Sequence, residues 1–367
     1  MKAEIVYFYA YDVAGELLTE QMTELFGRPL RPLVVEPHKR APAGLFFTRP
    51  LTVELDPLEG RSGSQPITIR LAVRLFSVGA MSVMARATVE FSALEDLLAY
   101  HTLRFNDHTL DAEVQALATR VLAAIRPYSV KPATGLVEPE TYTVFCLSPP
   151  ADEPNVVAHW FDRERRRIAA LLTQEPDPSR LSEQEVREST QYHFSYYSAD
   201  LVVVDWDAAL IVDDPRAYGE LLNVFELANL QQEELTEYDR LLDVALQHLY
   251  DDLLPTGPRP SRRRGKIQRS LREIRVDLAR LSDELSNTTK FFGDWHVARI
   301  YEGVAKRFHL DDWANSVGQK LRTLESMYNL LQQERNNRVM LVLESAIVAL
   351  FLLDLAVLMW PLFAHGH

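Results

Sequence analysis

Val339–Phe363 reads VMLVLESAIVALFLLDLAVLMWPLF, and only Glu344 and Asp354 interrupt an otherwise apolar or small run. At about 1.5 Å of rise per residue, some 20 residues of helix cross a hydrocarbon layer roughly 30 Å thick. The alternative, a core helix of a large domain, is disfavoured because no polar stripe of helical period survives here, whereas the helices upstream all show one. Trp360 and Pro361 close the run, and Arg335 and Arg338 flank its other end. The stretch predicts one C-terminal transmembrane helix over 339–363, and the rest of the chain is read as what that helix anchors.

The remainder of the 367 residues is ordinary globular material, 47% apolar and 25% charged. A net charge of −13 argues against a general affinity for nucleic acid. One segment reverses that balance. Arg259, Arg262, Arg263, Arg264, Lys266, Arg269, Arg272 and Arg275 stand against Glu273 alone, a net of +7 that leaves −20 for the rest. The single cysteine, Cys146, excludes an intrachain disulfide and a cysteine zinc cage. The opening MKAEIVYFYAYDVAG has too short an apolar run and too early an acid, Glu4, for a secretory signal. Arg335 and Arg338 beside the span fit a cytoplasmic flank. The expectation is a single-pass protein of a bacterial-type inner membrane with its N-terminal head in the cytoplasm.

Upstream, Ile5–Tyr11 is aromatic and β-branched and reads as a buried strand. Seven prolines between 27 and 66 allow short strands such as Leu45–Phe47 but no helix. Ile67–Phe76 and Met81–Phe91 form a first hairpin, followed by a helix over Ala93–His101 capped by Ser92 and Glu95. Leu110–Ile125 and Trp160–Leu172 read as helices and Thr141–Leu147 as a strand. His193–Tyr197, Leu201–Asp205 and Ala209–Val212 make the second hairpin, and 216–254 is one long helical region. The head, 1–254, is therefore α+β with two β-hairpins, either one domain or two subdomains with a break near 148–190.

PTGPRPSRRRG at 255–265 is a linker by composition, and 266–338 a helical stalk. Ile267, Leu271, Ile274, Leu278, Leu281 and Leu285 step by heptad spacing, as do Leu310, Ala314, Val317, Leu321, Leu324, Tyr328 and Leu331. Two such seams joined around 291–294 pack most simply as an antiparallel pair, and pairing between subunits is the alternative.

Sites of chemistry are sparse. There is no GxxxxGK[ST] loop, no GxGxxG after a strand and no HExxH. Asp205-Trp206-Asp207 sits at a hairpin bend, where Asp is favoured for turn-making. No catalytic residue, cofactor or metal site is expected; His365 and His367 read as a frayed tail. The Arg259–Arg275 cluster is a solvated helix start, a contact for anionic lipid, or, without interleaved aromatics, a weaker contact for RNA. Glu344 lies about two turns inside Arg335, within reach of headgroups or Arg338. Asp354 is some 15 Å deeper and about 280° around the helix. A carboxylate there costs on the order of 3 kcal/mol, which a hydrogen bond across a helix interface in a homo-oligomer offsets.

The run FFGDWHVARIYEGVAKRFHLDDWANSVGQKLRTLESMYNLLQQERNNRVMLVLESAIVALFLLDLAVL resembles the required-for-meiotic-nuclear-division family of membrane-anchored proteins. Phe291, Phe292, Asp294 and Trp295 stand near its Phe-Phe-Trp-Asp element, Tyr301 follows an acid-to-Tyr position, and Leu343-Glu344 and Asp354 match its two acids. Ser345 stands where the family has Trp. RLFSVGAMSVMARATVEF is similar to its Phe-x-x-Gly hairpin, and ELANLQQEELTEYDRLLD to its central helix. The resemblance, over roughly 190–360, implies an integral membrane protein without known catalytic activity; mitochondrial relatives support organellar translation. Residues and resemblance together predict a non-enzymatic scaffold or tether for a cytosolic protein partner. An RNA- or ribosome-associated translation-support factor is the first alternative, and an enzyme with an unrecognised site in the head the second.

Overall fold

A computed structural model describes residues 1–32, 50–63, 65–106, 108–149, 157–253, 261–287 and 295–364. They form a β-rich N-terminal head, then several helices, the last of them long and apolar. Leu45–Phe47, Phe291–Asp294 and His365–His367 lie outside the described residues.

The strand Lys2–Asp12 is the middle of the head. Ile5 to Tyr11 are all buried, because strands flank it on both edges and helices cover both faces. It runs antiparallel to Ala80–Glu90 on one side and to Glu140–Leu147 on the other. In spatial order the sheet runs Tyr192–Phe194, Leu201–Val204, Ala208–Val212, Glu140–Leu147, Lys2–Asp12, Ala80–Glu90, Gln65–Leu75, Leu51–Glu54 and Arg31–Pro32. Leu58–Ser62 adds a tenth strand on Gln65–Leu75. Both hairpins read from sequence belong to this one sheet. Glu140–Leu147 meets Ala208–Val212 in parallel, so the chain between them crosses over through helices α2 (Val157–Leu172) and α3 (Glu183–Ser189).

Side-chain alternation along Lys2–Asp12 assigns the two faces. Ile5, Tyr7, Tyr9 and Tyr11 share a core with Val114, Leu117 and Val121 of α1 (Leu110–Ile125) and with Phe161 and Ile168 of α2. The tyrosine hydroxyls reach past that core. Tyr7 donates to the Tyr100 carbonyl at 2.5 Å, Tyr9 to Asp111 at 2.7 Å, and Tyr11 to Gln115 at 3.1 Å. On the opposite face Tyr142, the register partner of Phe8, stacks on Phe225 of α4 (Tyr218–Leu253) at 5.6 Å. Phe308, just past α6 (Trp295–Arg307), meets Tyr142 edge-on at 5.0 Å. Each such aromatic burial is worth about 1.5–3 kcal/mol.

The helix expected over Ala93–His101 is a 3-10 turn, Leu94–Tyr100, and its acid is not Glu95. Asp96 accepts the Ser92 and Ala93 N–H groups at 2.9 and 3.0 Å, while Glu95 pairs with Arg167 at 3.0 Å. Sequence spacing misplaced this cap by one residue.

The chain divides into two compact units, Met1–Glu237 with Ala279–Ala314, and Tyr238–Leu278 with Asn315–His367. The second is helical: the end of α4, most of α5 (Ser261–Asn287), and α7 (Leu310–Ala364). The helix pair expected from the two heptad seams has a third member. Arg275 pairs with Glu325, and Gly318 faces Leu278, which makes α5 and α7 antiparallel. Lys320 bridges Asp239 and Asp243 at 2.8 and 2.5 Å, and Tyr328 donates to the Ala245 carbonyl at 3.2 Å, so α4 runs parallel to α7. Leu242, Ala245 and Leu249 of α4 are buried at the same spacing of three and four, but a seam shows that a helix has a partner and not which. Of the expected linker, 255–260 lies outside the described residues and 261–265 is the start of α5. Helix α7 continues without a break for 55 residues, about 82 Å.

Candidate functional site

In the head, a polar row crosses the face covered by α4. Pairing registers place Thr52, Arg74, Ser82, Ala10 and Glu140 side by side on five adjacent strands. Arg74 is buried and ion-paired with Glu226, and donates to Asn223 at 3.0 Å. At the other end of the row α4 grips Glu140 three ways and the end of the central strand once. Asn229 donates to its carbonyl at 3.0 Å, Gln232 and Thr236 to its carboxylate at 3.3 and 2.9 Å, and Glu233 accepts the neighbouring Asp12 N–H at 3.1 Å. Burial pushes the Glu233 carboxyl up to about 8, helped by the charges of Glu140 and Asp12 and opposed by the backbone donors. Burial raises Glu140 as well. These bonds fix α4 on the sheet.

On the other face a cleft of 670 Å³ opens beside the tyrosine ladder, lined among others by Tyr7, Tyr9, His101, Asp111, Gln115 and Thr143. His101 Nε2 lies 2.7 Å from the Leu171 carbonyl, which places a proton on that nitrogen, and burial lowers the ring's pKa against the opposing pull of that hydrogen bond and of Asp207. Asp207 is pushed upward by burial and by Asp205. Asp205 itself is buried and ion-paired with Arg307, whose Nε lies 2.8 Å away, so the Asp-Trp-Asp turn fastens α6 to the sheet. Among the described residues no group of His, Cys, Asp and Glu is arranged to hold a metal ion.

The apolar half of α7 is the other candidate. Every described side chain from Asn336 to Leu353 is exposed, Arg338 and Glu344 included. Its most apolar 18-residue window has mean hydropathy 1.6 and no buried share. Arg335 and Asp354 are on the same helix, with side chains outside the described set. Of the basic cluster, Arg259 lies outside the described residues, while Arg262, Arg263, Arg264 and Lys266 are in the first turns of α5. Arg269 and Arg272 are exposed, and Arg275 is committed to Glu325.

Sequence reasoning missed the row around Glu233 and the cleft at His101. Glu226, Asn229 and Glu233 recur at helical spacing beside the apolar Phe225, Ala228 and Leu235, and that was the available signal.

These features define a class: a sheet-centred head joined to helices, one of which carries a long exposed apolar half. The chain belongs to the family described as "Uncharacterized protein MJ0711, N-terminal domain", whose model matches residues 2–218. It is 26% identical over 216 residues to "Uncharacterized protein MJ0711" of Methanocaldococcus jannaschii, a match covering 59% of this chain and 65% of that protein. The chain thus spans just under two thirds of that relative's length. No solved structure matches. The family match ends where α4 begins. It covers the sheet, and not the helices that carry most of the resemblance to the required-for-meiotic-nuclear-division family.

Proposed function

We propose that this protein is a non-enzymatic scaffold or tether, held in a membrane by the apolar half of α7 and presenting its head to a protein partner on the cytoplasmic side. One observation carries the reading. Eleven large apolar side chains between Val339 and Leu353 are exposed on an unbroken helix. Each gives up about 1.5–3 kcal/mol by staying in water, a sum far above the stability of an ordinary domain. Lipid removes that cost over a length that fits one bilayer crossing. Arg335 and Arg338 at the start of the run support a cytoplasmic head. The resemblance of 190–360 to a membrane-anchored family points the same way, and Asp354 within the span supports self-association.

Alkaline carbonate extraction of membranes tests the anchor. The full chain is expected to stay in the pellet, and a chain ending at Arg335 to be released. A full chain extracted by carbonate sinks the proposal. Protease digestion of sealed inverted vesicles tests orientation, with the head expected to be degraded.

A further inference from the structure

We infer that the first turns of α5 and the foot of the apolar half of α7 form one basic collar that binds anionic phospholipid headgroups. The inference rests on the membrane reading above and adds a lipid class to it. Within the helical unit, Arg275 meets Glu325 and Leu278 meets Gly318, so residue numbers fall along α5 as they rise along α7. Eleven residues back from Arg275 is Arg264, and eleven residues on from Glu325 is Asn336, each a climb of about 16 Å. The antiparallel register therefore brings Arg262, Arg263, Arg264 and Lys266 to the level of Arg335 and Arg338. That level is where the exposed apolar run begins, at Val339.

Acids reach this height too. Ala245 meets Tyr328, so the parallel run of α4 puts positions 251 and 252, both Asp, at the height of position 334, a Glu. With Arg269 one turn below, seven basic residues stand against those three acids. In a chain of net charge −13, this concentration at one height matches the negative surface of an anionic leaflet. RNA is the weaker fit, because residues 259–275 contain no aromatic side chain on which bases could stack.

The test uses the full chain in phosphatidylcholine vesicles, with spin-labelled phosphatidylglycerol or spin-labelled phosphatidylcholine as the probe. The chain is expected to favour the anionic probe by about fivefold at low salt, and the preference to shrink toward one as salt rises. Replacing Arg262→Gln, Arg263→Gln, Arg264→Gln, Lys266→Gln and Arg269→Gln together should bring it near one. Lys at the four arginine positions should keep it, which separates lost charge from a lost fold. No preference in the parent chain, or an unchanged preference in the glutamine variant, overturns the collar. So does salt-sensitive co-sedimentation with RNA, lost in the glutamine variant, without lipid preference. Flotation after a carbonate wash separates the two readings. A chain that fails to float defeats the anchor itself, and one that floats without lipid preference defeats the collar alone.

Discussion

At Glu233 burial and the neighbouring acids Glu140 and Asp12 both disfavour the ionised carboxylate. The Glu233 carboxyl titrates near 8 in the folded head, against an ordinary value of 4.5. The folded state therefore binds a proton that the unfolded state has lost. Stability falls as pH rises through that window, then levels off above it. A shift of this size corresponds to on the order of 5 kcal/mol. Glu233→Gln keeps an acceptor for the Asp12 N–H without the ionisation. Its unfolding midpoint is expected to be nearly flat from pH 5 to pH 9 on the scale of about one ionisable group, while the parent's declines. Parallel declines in parent and variant would assign the dependence to Glu140 or another group. On the proposed self-association through α7, Asp354→Leu is expected to dissociate a detergent-solubilised oligomer, read by light scattering; an intact oligomer dismisses self-association through that acid. An acid in an apolar run draws notice in the sequence, as Asp354 does. Glu233 does not, because ELANLQQEELTE looks like a solvated helix until a sheet covers it.

At the scale of elements, the contacts that fix helices are small and local. Gly303 lets α6 press on the Phe194 ring of the sheet's edge strand, and an added Cβ would overlap that ring. Gly303→Ala should cost the head about 1–3 kcal/mol through overpacking, measured by chemical unfolding. A neutral result would show that Phe194 can swing aside. In the helical unit, Leu321 is buried, and Leu321→Ala should cost about 2–5 kcal/mol there. Strands were legible element by element: Ile67–Phe91 announces two strands about a turn, and Gln65–Leu75 and Ala80–Glu90 are that pair. Leu110–Ile125 likewise carries its own boundaries, with Thr109 capping the Ala112 N–H and Pro127 following. Partnership between elements was not legible. Heptad spacing reports that a helix has a partner, not how many, so α4 went unseen beside α5 and α7.

For the whole molecule, what matters is which strands lie inside. Lys2–Asp12 is paired on both edges, whereas Arg31–Pro32 and Tyr192–Phe194 end the sheet among the described residues. Amide exchange is expected to be slowest in Lys2–Asp12 and its two neighbours and fastest in those end strands. Uniform rates across the sheet would argue that it opens as one body. That single sheet was out of reach of the sequence, because one parallel pairing across some 60 residues leaves no local trace. The placement of the first strand also bears on synthesis. Residues 2–12 are made well before their second partner, 140–147, which follows some 130 residues later, on the order of ten seconds of synthesis. For that interval one edge of the central strand is open to misassembly. The last strand, Ala208–Val212, emerges more than 120 residues before Val339–Phe363. All ten strands are thus available to one another before the most apolar part of the chain has been made.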